Sequence, residues 1–381
     1  MKRIYFDNNA TTKPDARVVQ KVFEQAQEIF GNPSSLHYEG QQAKRLLEES
    51  RRIIAEEIGA RPDEIVFTSG GTEANNLAIK GVAEVFSEKG NHLLTSSIEH
   101  QSIKSTHQYL ERKGYKVSWI PVDNNGVIDL ELLEKSLRPD TILVSVMLAN
   151  NELGTIQPVK QAAKIAHKKG IYFHCDAVQA LGKMPVKVDE LGVDLMSISA
   201  HKIYAFKGIG ALYIRKGTKL TPQTQGGHQE KNRRSGTENL PGILSFAEAI
   251  KIFQQEKAER IKRMSLLREK LENGLKEKFG FARINAELAP RIPNTTSVSF
   301  PGFDGEILLL NLDAMGIAVS TGSACRAGMT EPSYVLQAIG LSKEEAQGTL
   351  RISLGKDNTD EEVDYFLDAL GKALEKIKRG D

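Results

Sequence analysis

Short runs of β-branched and apolar residues alternate with longer stretches of helical periodicity along most of this chain. That alternation restricts the fold more than any other feature. Ile65-Val66-Phe67-Thr68, His92 to Ser96, Lys116 to Ile120, Thr141 to Val146, Ile171 to His174 and Leu195 to Ile198 each read as a strand. Strands linked by helical crossovers run parallel, so the pattern predicts an α/β fold with a mostly parallel sheet covered by helices on both faces. The pattern changes near Pro241-Gly242. Beyond it Phe253, Ile261, Met264, Leu267, Leu271 and Leu275 follow a 3.6-residue period, which predicts a long amphipathic helix. A strand from Thr295 to Phe300 follows, and the last helix opens with the capping box Thr359-Asp-Glu-Glu362. The expected division is a large domain over residues 15–252 and a smaller α+β domain over 253–381 together with 1–14.

Of 381 residues, 40% are hydrophobic, enough for a core without staples. The 51 basic and 49 acidic residues give a net charge of +2, which points to neither nucleic acid nor a membrane surface as partner. The doublet Arg51-Arg52 reads as the solvated face of a helix. Two cysteines, Cys175 and Cys325, are too few for a disulfide framework or a structural zinc site. No secretory leader is legible, and no apolar run reaches the roughly 18 residues of a membrane helix. A cytoplasmic protein without a resident metal is expected.

Parallel sheets bind ligands at the carboxyl ends of their strands, and polar residues gather at several such ends. Ser69-Gly70-Gly71-Thr72-Glu73 joins a strand to a helix. Glycines there let backbone amides approach a phosphate at a helix N-terminus, although a plain turn capped by Thr72 explains the same residues. His100 follows the next strand and can stack on a flat ring or carry protons, or be an ordinary loop histidine. Asn150-Asn151-Glu152 follows a third and is a weak signal, since asparagine is common in turns. Asp176 ends the strand containing His174. A buried carboxylate needs a partner, and a pyridinium nitrogen is one; a helix cap is the plainer alternative. Ser199-Ala-His201-Lys202 ends the strand after that and can carry a Schiff-base lysine, although a surface lysine leaving a strand looks the same. None of these is specific alone. An anion cradle, an aromatic ring, an acid and a lysine at successive strand ends together suggest a pyridoxal-phosphate site.

These motifs resemble the cysteine desulfurases, in the class V aminotransferase group of fold-type I pyridoxal-phosphate enzymes. The resemblance covers nearly the whole chain, from Tyr5-Phe-Asp-Asn-Asn-Ala-Thr-Thr12 through Gly31-Asn-Pro-Ser-Ser-Leu-His37, Asn150-Asn-Glu-Leu-Gly154 and Asp176-Ala-Val-Gln179 to Ser199-Ala-His-Lys202, Arg234-Ser-Gly-Thr-Glu-Asn239, Thr321-Gly-Ser-Ala-Cys325 and Arg351-Ile-Ser-Leu354. It implies a large domain with a sheet of the seven-stranded type. It implies that Lys202 carries pyridoxal 5'-phosphate and that Asp176 pairs with the ring nitrogen. Gln179 would face the ring hydroxyl and His100 would stack on the ring. Gly71, Thr72, Ser199 and His201 would hold the phosphate, with Thr237 supplied by the neighbouring subunit of a homodimer. Asn151, beside the cofactor, and Arg351 would grip the carboxylate of L-cysteine. The product would be alanine and a persulfide on Cys325, passed to an iron–sulfur scaffold or a tRNA-thiolating enzyme. Cys325 stands in a stretch rich in small residues, with Arg326 beside it, whereas Cys175 reads as a packing residue in a buried strand.

Two departures stand out. The family usually has Gly-Pro where this chain has Ala205-Phe206, so a different turn behind Lys202 is expected. His228 stands where a third glycine is usual. Competing readings are a selenocysteine lyase or related lyase, a non-catalytic sulfur-handling or scaffold protein, and a nucleotide-binding oxidoreductase. The last rests on Gly208-Ile-Gly210, a weak signal without a third glycine.

Overall fold

The structure is a computed structural model that describes residues 3–321 and 332–379. Its centre is a seven-stranded sheet. The strands are Ile65–Thr68 (β1), His92–Ser96 (β2), Lys116–Ile120 (β3), Thr141–Ser145 (β4), Tyr172–Asp176 (β5), Leu195–Ser199 (β6) and Gly210–Ile214 (β7). Their order across the sheet is β1-β7-β6-β5-β4-β2-β3. All neighbours run parallel except β7, which is antiparallel to both β1 and β6. β7 needs no crossover, so it follows the turn after Lys202 directly.

Strands β1, β2, β4, β5, β6 and β7 are buried along their whole lengths or nearly so, as expected of a sheet covered on both faces. Helices α1 (Tyr38–Ile58), α2 (Gly71–Val85) and α3 (Gln101–Glu111) belong to this layer. A helix of 39 residues, α4 (Leu240–Lys278), then runs from one hydrophobic core to another. Ile243, Phe246 and Ile250 pack into the core around the large sheet, whereas Leu267, Leu271 and Leu275 join Phe6, Val298, Ile352 and Phe366. The helix therefore starts upstream of Phe253 and spans the change in pattern. The second core lies under the antiparallel strands Thr295–Ser299 (β8) and Thr349–Ser353 (β9) and the last helix, Asp360–Arg379 (α5). The Thr359/Glu362 capping box forms, with Glu362 N donating to Thr359 Oγ1 and Thr359 N to Glu362 Oε2, both at 3.3 Å.

The doublet on α1 is corrected by the structure. Arg52 is exposed and pairs with Glu56, but Arg51 is 4% exposed. Its guanidinium is bidentate to Glu230, at 2.7 and 2.8 Å, and stands over the Phe67 ring. A periodic helix face cannot reveal a partner 179 residues away. Among the described residues no helix is long and apolar enough to cross a membrane.

Candidate active site

The ends of β1, β2, β5 and β6 converge on a cavity of about 300 Å³. Gly71 and Thr72 reach it from the start of α2, and His100 from the N-cap of α3. Asp176 and Gln179 enter from β5, and Ser199, His201 and Lys202 from β6. Asn151 and Arg351 also line it.

At the start of α2, Gly70 takes φ 153° and ψ −177°, a conformation open essentially only to glycine. A Cβ on Gly71 would lie 2.7 Å from Val178 Cγ2, so only glycine lets the backbone come this close to that wall. The first amides of the helix lack intrahelical acceptors and suit an anion. Ser199 Oγ is buried with no hydrogen-bond partner among the described residues. Amides, a spare hydroxyl and a helix N-terminus are the donors that a phosphate group requires, and a buried carboxylate and a lysine stand in the same cavity. The residues present therefore fit pyridoxal phosphate.

Asp176 is 4% exposed and accepts from Asn75 Nδ2 at 2.8 Å and Val178 N at 3.0 Å. Asn75 also donates to Ser102 Oγ at 2.9 Å. Ser102 meets His100 Nδ1 through its hydroxyl at 2.8 Å and donates to it from its amide at 3.2 Å. An Nδ1 that accepts an N–H leaves the proton of the neutral ring on Nε2. Burial holds the His100 pKa below its ordinary value; Asp176 opposes this and Lys202 reinforces it. For His201 burial and the charges of Lys202, Lys207 and Lys183 bring the pKa down to about 4, so both imidazoles are neutral at pH 7.

Lys202 ends a 3₁₀ turn, Ala200–Lys202, and its Nζ donates to the backbone carbonyls of Asn9, at 2.5 Å, and Ala10, at 2.7 Å. The turn behind it takes a left-handed residue at Tyr204, with φ 71°. Thr12 Oγ1 accepts from Tyr204 N and donates to His201 O, both at 2.8 Å, and Phe206 N donates to Ser245 Oγ at 3.2 Å. Ala205-Phe206 are thus accommodated by the N-terminal segment and α4, and Lys202 still lines the cavity. Arg351 is buried; its Nη2 pairs with Asp7 at 2.6 Å and its Nη1 donates to Asn151 O at 3.2 Å.

Other expected residues lie elsewhere. Thr237 is exposed before α4 and does not line its own chain's cavity. His228 is exposed, with Nδ1 2.7 Å from Asn232 Oδ1. Cys175 is fully buried, and burial raises its thiol well above the ordinary range. Cys325 and Arg326 lie outside the described residues. Sequence reasoning missed Asn9, Asn75, Ser102 and Tyr334, all at the cavity. Asn9 and Ala10 lie inside the first quoted motif, which was a signal in plain view.

The sequence matches the family Aminotransferase class-V over residues 4–366. The chain belongs to that family, whose members work with pyridoxal 5'-phosphate. It is 48% identical to the cysteine desulfurase IscS of Dictyoglomus turgidum, over 99% of this chain and 96% of that one. Among solved structures, a NifS-like protein superposes with a TM-score of 0.91 at 44% identity, covering 98% of this chain and 99% of the other. A structure described as SspA in complex with cysteine superposes with a TM-score of 0.80 at 36% identity, covering 93% and 100%.

Proposed function

We propose that this protein is a cysteine desulfurase that holds pyridoxal 5'-phosphate on Lys202 and converts L-cysteine to L-alanine, leaving the sulfur as a persulfide on Cys325. The observation that carries the reading is the convergence of Lys202, Asp176, His100 and the Gly71–Thr72 turn on one cavity, in a chain whose relatives are cysteine desulfurases.

The cofactor, when bound, supplies an electron sink for bond breaking at the substrate Cα. Gly71, Thr72, Ser199 and His201 would hold its phosphate, and Thr237 of a second copy would complete that cradle in a homodimer. Asp176 would keep the ring nitrogen protonated, Gln179 would face the ring hydroxyl, and Asn151 and His100 would lie against the ring. Arg351 and Asn151 receive the substrate carboxylate, in competition with Asp7. Lys202 would serve as the base that removes the substrate Cα proton. His100, neutral with its proton on Nε2, moves protons at the substrate thiol. The Cys325 thiolate attacks the substrate sulfur: an S–S bond forms, the C–S bond breaks and its electron pair stays with the carbon skeleton. The persulfide passes to an acceptor protein, an iron–sulfur scaffold or tRNA-thiolating enzyme, in the cytoplasm. Nucleic acid and membrane take no direct part.

The test gives L-cysteine to the wild type and to Cys325→Ala, then measures alanine and protein-bound sulfane sulfur. Both should fall by two orders of magnitude or more in the variant, roughly what removal of a nucleophile costs. Undiminished turnover sinks the persulfide route.

A further inference from the structure

Lys183 is 4% exposed, does not line the main cavity and takes no part in the steps above. Its Nζ donates to Gln179 Oε1 at 2.6 Å and to Asn9 Oδ1 at 2.9 Å. Neither acceptor is a carboxylate, and among the described residues Lys183 has no ion pair. A buried ammonium against neutral amides is costly; burial and the charges of Lys202 and Arg351 hold the Lys183 pKa well below its ordinary value, and an apolar side chain would fill the space without that cost.

The hydrogen bonds show what the ammonium achieves. An amide oxygen and nitrogen are easily exchanged, but an ammonium only donates, so Gln179 must turn Oε1 to Lys183 and present Nε2 on the other side. One Nε2 hydrogen goes to Asn9 O at 2.9 Å, and Gln179 lines the cavity with the other still to place. Asn9 is fixed in the same way. Its Oδ1 faces Lys183 and Asn294, its Nδ2 donates to Thr295 Oγ1 at 2.8 Å and Asn151 O at 3.1 Å, and its backbone carbonyl receives Lys202 Nζ.

We propose that Lys183 is a positioning residue for the Lys202 site: its buried ammonium forces Gln179 to aim Nε2 at the cofactor's ring oxygen and holds Asn9 where its carbonyl receives Lys202. This rests on the cofactor reading given above. Lys202 itself stands close enough for its charge to lower the Lys183 pKa. The other titratable groups facing Lys183 are His201 and Tyr204 from the turn after β6, Arg351 and Lys356 from β9 and the loop behind it, and Arg260 from α4. Asp7 and Asp15 neutralise Arg351 and Lys356 and leave Lys183 uncompensated.

The experiment uses full-length protein loaded with pyridoxal phosphate and reads the pH midpoint of its lysine–cofactor absorbance, without substrate. Lys183→Met frees the Gln179 amide from the ring oxygen. Losing that hydrogen bond favours the protonated chromophore, so the midpoint should rise by about one pH unit, a tenfold change in acid constant. Gln179→Leu should raise it too, and the double variant should fall clearly short of the sum, since Lys183 acts in part through Gln179. If Lys183→Met does not fold, Lys183→Gln serves, because one neutral amide cannot replace three donors and the midpoint should still rise. A wild-type midpoint in whichever variant folds, full additivity in the cycle, or failure of both variants to fold overturns the proposal. A wild type with no lysine–cofactor absorbance sinks the cofactor reading itself and the proposal with it, which is a different outcome from a variant that titrates normally.

Discussion

Ser199 Oγ is buried at the cavity wall with no partner among the described residues, and such an atom costs about 1–3 kcal/mol of desolvation. Ser199→Ala removes that cost from the empty protein and a phosphate donor from the loaded one. The stability of cofactor-free protein in urea should stay level or rise, while the Kd for pyridoxal phosphate rises about tenfold. Lower stability with an unchanged Kd would assign the serine to the scaffold. Glu99 makes the opposite kind of case. It is fully buried beside His100, its Oε1 accepts from Ser96 Oγ at 2.5 Å and Met147 N at 3.0 Å, and burial pushes its pKa up to about 8. Below its ordinary value of 4.5 both folded and unfolded chains carry the proton. Between 4.5 and about 8 only the unfolded chain releases it, so stability falls as pH rises through that window and levels off above it. Glu99→Gln keeps an acceptor for both donors and cannot ionise. Urea midpoints taken from pH 5 to 8 should therefore lose a slope amounting to a few kcal/mol in the wild type. An unchanged slope would show that Glu99 is ionised at pH 7. Sequence reasoning reached His100, Asp176 and Lys202 because their types and strand-end positions carry chemistry. It passed over Glu99, Asn75 and Ser102 because buried carboxylates, amides and hydroxyls take their roles from neighbours distant along the chain.

Elements were legible where local chemistry dictates them. The strands and the Thr359/Glu362 cap follow from residue type and spacing. The start of α4 did not, because Pro241 and Gly242 read as a break although proline is well suited to a helix's first turn. The segment before Thr237 was also beyond reach. Glu230, Lys231 and Asn232 all take left-handed backbone, at φ 48°, 58° and 62°, a conformation that is costly for residues with a Cβ. What over-determines it is Glu230, which receives two bonds from Arg51 and one from Phe67 N at 2.8 Å and so ties the segment to the edge strand β1. Glu230→Ala leaves the buried guanidinium with only the half-exposed Glu48, 3.3 Å from its Nε, and the Ile65 carbonyl, and should cost about 3–5 kcal/mol by chemical denaturation. A loss below roughly 1 kcal/mol would mean that water reaches Arg51. Arg51→Met with Glu230→Met should recover much of the loss, because removing both charges removes the desolvation penalty.

At the scale of the molecule, α4 carries both cores on one helix, and the N-terminal segment joins them a second time. Phe6 packs in the second core while Asn9 bonds Gln179, Lys183 and Lys202 beside the large sheet. The cavity therefore takes residues from the large sheet, the N-terminal segment and β9, yet Thr237 stands outside it on the exposed approach to α4. If a second copy delivers Thr237, two defective chains should repair each other. Lys202→Ala leaves a chain with no cofactor lysine but an intact Thr237. Thr237→Ala leaves a chain with an intact lysine that receives no hydroxyl from a like partner. In a mixed dimer, the Lys202 site of the second chain regains Thr237 from the first, and one of the two sites is complete. In an equimolar, randomly reassociated mixture about half of the dimers are mixed, so about a quarter of all sites should bind pyridoxal phosphate with wild-type affinity, whereas Thr237→Ala homodimers bind it about tenfold more weakly, the loss of one hydrogen bond to a charged group. Equal affinity in mixed dimers and Thr237→Ala homodimers would mean that each chain builds its phosphate cradle alone.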